Sequence, residues 1–400
     1  MATQGATAGY AAGEQTNALA LLYAQEVNAG SPPGGAWQKL RYTGESLTVQ
    51  DTTSVPDEIN DNAEDAETVL TGRATSGNAN GVLSYGTYDD FLAGVMSSDW
   101  KDMAVYVATK DNALRVTAGL FVFPDNGRDF ISKMPPHGMI RLESPSLNIN
   151  YYGYYDKIVD QNTLHIGDDF LLQTKLNEGW ISDAVVSVGG ITNGVTNKTF
   201  SVCKPLASQF QIFTMLFVNQ LSISMQKGQT PTVQTDFTGS DMQITASNPV
   251  ASITPANSNP IMDVVSGFKG LTIFGNTPAG CVQSATLTLK RNNSGQDTGM
   301  GHVGACGVQF GSFAVTLDVE YFFKDYQQFM DWQSGKKGPV SLKVVGADGF
   351  GYVFTIANAR IFNPQNPSDG KNKTIVTKLS IVGNPGATGG TFGIMRVIPV

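Results

Sequence analysis

The second half of this 400-residue chain repeats the order of elements in its first half. LRYTGESLTVQ (40–50) is matched by SATLTLKRN (284–292), and each is followed by a long polar loop. The strand pattern from 69 to 85 and the segment TYDDFLAGVMSSD have their counterpart in FGSFAVTLDVEYFFKDYQQFMDW (310–332). Tyr88, Phe91 and Leu92 stand at helical spacing. Setting Phe329 and Met330 against Phe91 and Leu92 brings Tyr326 onto Tyr88. KTIVTKLSIVG (373–383) is expected to match the late strands near 221–225. Identity is low, so element order and aromatic spacing carry the repeat. A chain holding one plan twice is expected to form an oligomer with twice as many domains as subunits.

Both copies read as β-structure. Short runs rich in Thr, Ser, Val and Phe are separated by Gly, Pro and Asn, the pattern of strands joined by turns. NQLSISMQKGQTPTVQTDFTG reads as a hairpin turning near 227–229, and Asp348-Gly349 marks another in LKVVGADGFGYVFTI. The expected division is an arm at 1–35, a first domain at 36–110 and 185–245, and a second at 261–400. In the arm, LALLYAQEV fits an amphipathic helix or a strand paired elsewhere. The stretch 111–184, with DNGRDF, MPPHGM and NYYGYYDKIVD, has a different texture and reads as a small inserted β-domain. The uncharged TASNPVASITPANSNP near 246–260 reads as a linker.

Charge narrows the function. Only 15% of residues are charged, the net charge is -8, and no basic stripe occurs. A protein that grips nucleic acid by its phosphates shows the opposite balance. Asp51, Asp57, Glu58, Asp61, Glu64, Asp65 and Glu67 crowd the first polar loop, which reads as solvated or covered by a partner. The second loop differs, with Lys290, Arg291, Asp297 and His302.

Chemistry finds little support. Three cysteines (Cys203, Cys281, Cys306) without CxxC spacing fit buried thiols in a reducing compartment. His137, His165 and His302 lie in separate segments without a positioned base. GMGHVG (299–304) matches GxGxxG but follows a polar loop and precedes a strand, the wrong setting for a dinucleotide site. Tyr151, Tyr152, Tyr154 and Tyr155 fit a strand shared between core and outer surface better than a stacking platform. No catalytic residue, cofactor or metal is expected. The opening MATQGATAGY lacks a basic region, unlike a secretory signal, and the apolar runs are too short to span a membrane.

WQKLRYTGESLTVQ (37–50) and VLSYGTYDDFLAGVM (82–96) resemble siphophage major tail tube proteins. NKTFSVCKPLASQFQIF, LSISMQKG and GYVFTIANARI extend the resemblance over nearly the whole chain. It implies a mainly β fold of two tube-type β-sandwich domains, each with a flanking α-helix. It also implies a structural virion protein, not an enzyme, that builds the hollow tail tube delivering DNA to the host. A ring of six such domains would need three of these chains, stacked through loops at about 51–67 and 291–305. Tape-measure, tail terminator and baseplate proteins would be partners, with assembly in the host cytoplasm. The lumen is expected to be net negative. A phage surface decoration or receptor-binding β-sandwich protein is the alternative, and a β-rich carbohydrate-active enzyme a more distant one.

Overall fold

The computed structural model describes residues 16, 19–59, 61, 64–134, 138–166, 170, 174, 176–206, 208–368, 370–386 and 390–399. His137 and most of 1–18 lie outside them.

The protein is mainly β, and alternation explains why. In Thr232–Gly239 (TVQTDFTG), Val233, Thr235 and Phe237 are buried while Thr232 and Gln234 are exposed. A strand with that period must lay one face on a core. Eight strands do so side by side in one antiparallel sheet. Thr48–Ser54 pairs with Val69–Val82, which pairs with Thr232–Gly239, which pairs with the later part of Gln209–Gln226. Residues 220–226 of that last strand then pair with 284–290 of Val282–Asn292. The order continues through Ser312–Phe322 and Val376–Asn384 to the end of Gly351–Gln365. Each half thus runs first strand, second, fourth, third, and the third of one half adjoins the first of the next.

Two long strands leave this sheet for outer sheets. Gln209–Gln226 turns at Met215, whose φ is 55°, and its start pairs with Phe200–Leu206 and Asp241–Thr245. Gly351–Gln365 likewise begins between Lys337–Val345 and Phe392–Val397. At the far side, Leu22–Gln25 pairs with Phe200–Leu206 as Phe268–Ile273 pairs with Lys337–Val345. The arm therefore contributes a strand, the second of its two options. One correspondence needs correction: Val376–Asn384 holds the ladder position of Thr232–Gly239, and the counterpart of 221–225 lies in Gly351–Gln365. Sequence likeness cannot separate neighbouring strands that share one alternation.

A single core joins the halves: Leu221, Ile223 and Phe237 pack in one cluster with Leu287, Leu317 and Ile381. The helix Asp89–Met96 lies in this cluster. The stretch thought to link the halves is held in place, with Ser252–Thr254 parallel to Ala36–Lys39 and the Asn257 and Asn259 amides both donating to the Tyr85 carbonyl.

Between the helix and Phe200–Leu206, a further sheet runs from Lys101–Val107 to Val185–Thr192, extending past 111–184 on both sides and joined at its end to an outer sheet, where Ile191 and Thr192 pair with Ile394 and Gly393. It has its own core around Phe121, Tyr151, Tyr155 and Phe170. Tyr152 faces the other way and packs with Met139 on Val353 and Met395 of an outer sheet.

Candidate functional site: a polar sheet face and two free edges

The face of the eight-stranded sheet turned away from the core is lined by small polar side chains. Gln220, Ser222 and Ser224 stand beside Lys290, Thr288 and Thr286, and next come Thr316 and Asp318. Ser224 and Thr286 hydroxyls meet at 3.2 Å across the joint, and Gln220 and Gln234 amides both donate to the Asp236 carboxylate. The charges on this face balance: Asp236, Asp318 and Glu320 against Lys290, Arg360 and Lys378. Lys378 pairs with Glu320 at 2.7 Å. The face is therefore neutral, and the acids concentrate in the loop beyond it.

Both borders of the sheet are open. Among the described residues, Thr48–Ser54 pairs only with Val69–Val82, and beyond Arg360 the strand Gly351–Gln365 pairs only with Val376–Asn384. Unpaired peptide groups along such borders are templates for another strand.

Of the loop acids, Asp57, Glu58, Asp61, Glu64, Asp65 and Glu67 are exposed beside exposed Val55 and Ile59. Asp51 sits lower, on the strand, where hydrogen bonding by Arg73 (2.7 Å) holds its carboxyl below the usual range. The second loop does not mirror the first. Arg291 is buried, its Nε donating to the Val95 carbonyl at 2.7 Å and its guanidinium 5.6 Å from the Phe313 ring. Burial lowers its pKa. It anchors the halves together, so a loop role does not fit its place. Asp297 lies in the short hairpin Gly295–Asp297 with Gly307–Gln309, and His302 is exposed at its tip. This hairpin leans on the first half: Arg73 N–H donates to the Val303 carbonyl at 2.7 Å, and Ser240 Oγ to the Ala305 carbonyl. GMGHVG forms the hairpin's loop, with a strand after it.

The helices diverge. Tyr88, Phe91 and Leu92 are buried, and the Tyr88 hydroxyl donates to the Arg41 carbonyl at 2.9 Å. In Gln327–Gln333 the buried residues are Gln328 and Asp331, with Phe329 half-buried and Tyr326 and Met330 exposed. Of the expected packing residues, Tyr326 and Met330 are thus turned outward within the single chain, and Phe329 is only half-buried. Cys203 is buried, and its thiol is pushed up to about 11 by that burial. Cys281 and Cys306 are exposed, contrary to the expectation of three buried thiols.

Two clusters escaped sequence reasoning. Asp89, at the start of the first helix, accepts from Tyr352 Oη and Arg396, and the Arg396 guanidinium lies 4.2 Å from the Trp100 ring centre. Desolvation raises the Asp89 pKa against the pull of Arg396. The available signal was a lone arginine in the apolar run FGIMRVIPV. Glu26 is the other, a buried carboxylate that accepts from four donors. Among the described residues, no three His, Cys, Asp or Glu side chains come together to hold a metal, and no helix is long and apolar enough to cross a membrane.

The chain is thus mainly β, with a duplicated sheet, a neutral polar face and two open sheet borders. The family model for phage tail tube proteins matches residues 16–385, and the chain belongs to that family. No curated protein matches it. Membership gives it a structural role in the tail tube of a virion.

Proposed function

We propose that three copies close into a ring of six sheet units, and that stacked rings form the channel through which phage DNA passes. The observation that carries this is the joint inside the chain. Residues 220–226 and 284–290 already show how the third strand of one half pairs with the first strand of another. The free borders at 361–365 and 48–54 are the same two strands, unpaired. Repeating the joint between chains leaves no free border once the ring closes.

The polar face then lines the channel. Its balanced charge offers phosphates no net attraction, which suits transit over binding. The inserted sheet sits on the opposite side, against Val353 and Met395, and so decorates the outside. The exposed acidic loop reaches the neighbouring ring, where charge sets register. Tape-measure, terminator and baseplate proteins meet the tube at its ends and along its length, and assembly takes place in the host cytoplasm.

Negative-stain electron microscopy of the purified protein, before and after concentration, tests this. Stacked rings with threefold averages are expected. A ring mass equal to six chains, rather than three, would refute the three-copy ring. Particles that never stack would point to a decoration or receptor-binding protein. Neutralising Asp57, Glu58 and Asp61 together should leave rings intact and impair tube growth; normal tubes would refute the register role.

A further inference from the structure

The two ends of the eight-stranded sheet carry different surfaces. At one end, Val69–Val82 is flanked by Thr232–Gly239 from Thr75 to Val82. Residues 69–74 run on past that neighbour, paired with 50–54 of the border strand. Residues 51–54 and 69–71 are exposed without alternation, so both faces of this two-stranded ribbon meet solvent. A ribbon of that kind is marginally stable by itself and calls for cover. Its tip is apolar as well as acidic: Ile59 is fully exposed, and Val55, Val69 and Leu70 are 48%, 51% and 43% exposed.

The other end carries an apolar pocket of about 330 Å³. It opens where the joint between the halves finishes, at the pair Gln226 and Ser284, and its lining includes Met225, Lys227, Val265, Phe268, Cys281 and Phe322. Ser224 lies opposite Thr232, and Thr232 opposite Val82. The pocket is therefore at the Val82 end of the strand whose Thr75 end leads into the ribbon. Phe268 is only partly buried, Val265 is 86% exposed, and Cys281 is exposed. Lys227 is the charged side chain of the lining, and it too is exposed.

We propose that the segment Val55–Ile59 at the ribbon tip docks into this pocket on a second copy of the chain, in the next ring of the stack. This rests on the stacked tube proposed above and gives its acidic loop a defined seat. Tip and pocket sit at opposite ends of one sheet, so the contact is head-to-tail and repeats without closing, which is how rings extend into a tube. Docked in extended form, Val55, Asp57 and Ile59 would share one side of the segment. That side offers two apolar side chains to the pocket wall and a carboxylate between them to Lys227. The remaining acids stay at the rim, where charge selects and orients the partner more than it holds it.

The test uses full-length protein. Ile59→Asp at the tip and Val265→Glu at the pocket alter exposed side chains, so each should keep the wild-type melt and ring yield while tube yield falls about tenfold or more. Lys227→Glu should impair stacking, and adding Asp57→Lys should restore it. In a Cys306→Ser background, Ile59→Cys should oxidise onto the exposed Cys281 of a second copy in tubes and stay reduced in dilute, unstacked rings. If wild-type tubes form and Ile59→Asp and Val265→Glu stack equally well, or if no disulfide to Cys281 forms in tubes, the seat is wrong while the tube stands. If wild-type rings never stack, the tube proposal fails and takes this one with it.

Discussion

Glu26 shows how much order one carboxylate can impose. It accepts from Thr199 Oγ1 (2.7 Å), Ser201 Oγ (2.6 Å), Gly30 N–H (2.8 Å) and Met215 N–H (2.9 Å). The last of these lies at the left-handed residue where the long strand passes between sheets. Removing it leaves buried donors unsatisfied, which costs more than the bonds contribute net. Glu26→Ala should lower the unfolding free energy by about 2–4 kcal/mol in urea titration, with an unchanged m value. Asp263 contributes to the acid limb, as do Asp51, Asp99, Asp160 and Asp183, whose carboxyls are also held low. Hydrogen bonds from Ser266 and from the backbone of Val265, Ser266 and Gly267 pull the Asp263 carboxyl down to about 2. The folded value lies below the unfolded one of roughly 4, so its contribution is complete above that pH. It is lost as pH falls from there toward 2. Asp263→Asn should make the loss of stability across that window shallower and change nothing in its slope at neutral pH; an unaltered acid limb would rule the capping role out.

At the scale of elements, one sequence plan yields two helices with opposite surroundings. Both start at a tyrosine, but the second offers Gln328 to the Tyr321 hydroxyl at 3.0 Å and ties Asp331 to Lys336. Polar groups thus take the inward positions and leave the aromatic row of Phe323, Tyr326 and Phe329 outside or half-covered. One backbone feature lies where the chain enters the border strand. Gly77 has φ 148°, and a Cβ there would lie 2.5 Å from the Ser46 carbonyl oxygen. Gly77→Ala should cost about 1–3 kcal/mol and speed amide exchange along Thr48–Ser54. Exchange at the wild-type rate would show that the strand tolerates a shift there.

For the whole molecule, the decisive fact is that the halves share a core while the inserted sheet owns a separate one. Leu221 lies opposite Leu289 in the ladder, and Ile223 opposite Leu287, so neither half can unfold without stripping the other. Calorimetry should show at most two transitions, one for the joined halves and one for 101–192. Three resolved transitions would mean that the halves melt independently, against the shared core.

Alternation of polar and apolar residues was enough to indicate the β fold, because a period of two admits no other regular structure. The turns at 227–229 and Asp348-Gly349, and the helix at Tyr88, Phe91 and Leu92, were legible for the same local reason. Pairing was not. Which strand neighbours which depends on contacts between residues far apart in the chain, and strands of one alternation are interchangeable until packing selects among them. Burial of polar groups was equally hidden: Arg291 looked like a loop charge and became an anchor, and Glu26 looked like part of an arm and became a hub. A charged side chain goes inside only where donors or acceptors from distant segments meet it. The sequence alone thus determined the kind of surface each segment carries, and only the tertiary structure decided which surfaces cover one another and which are left open.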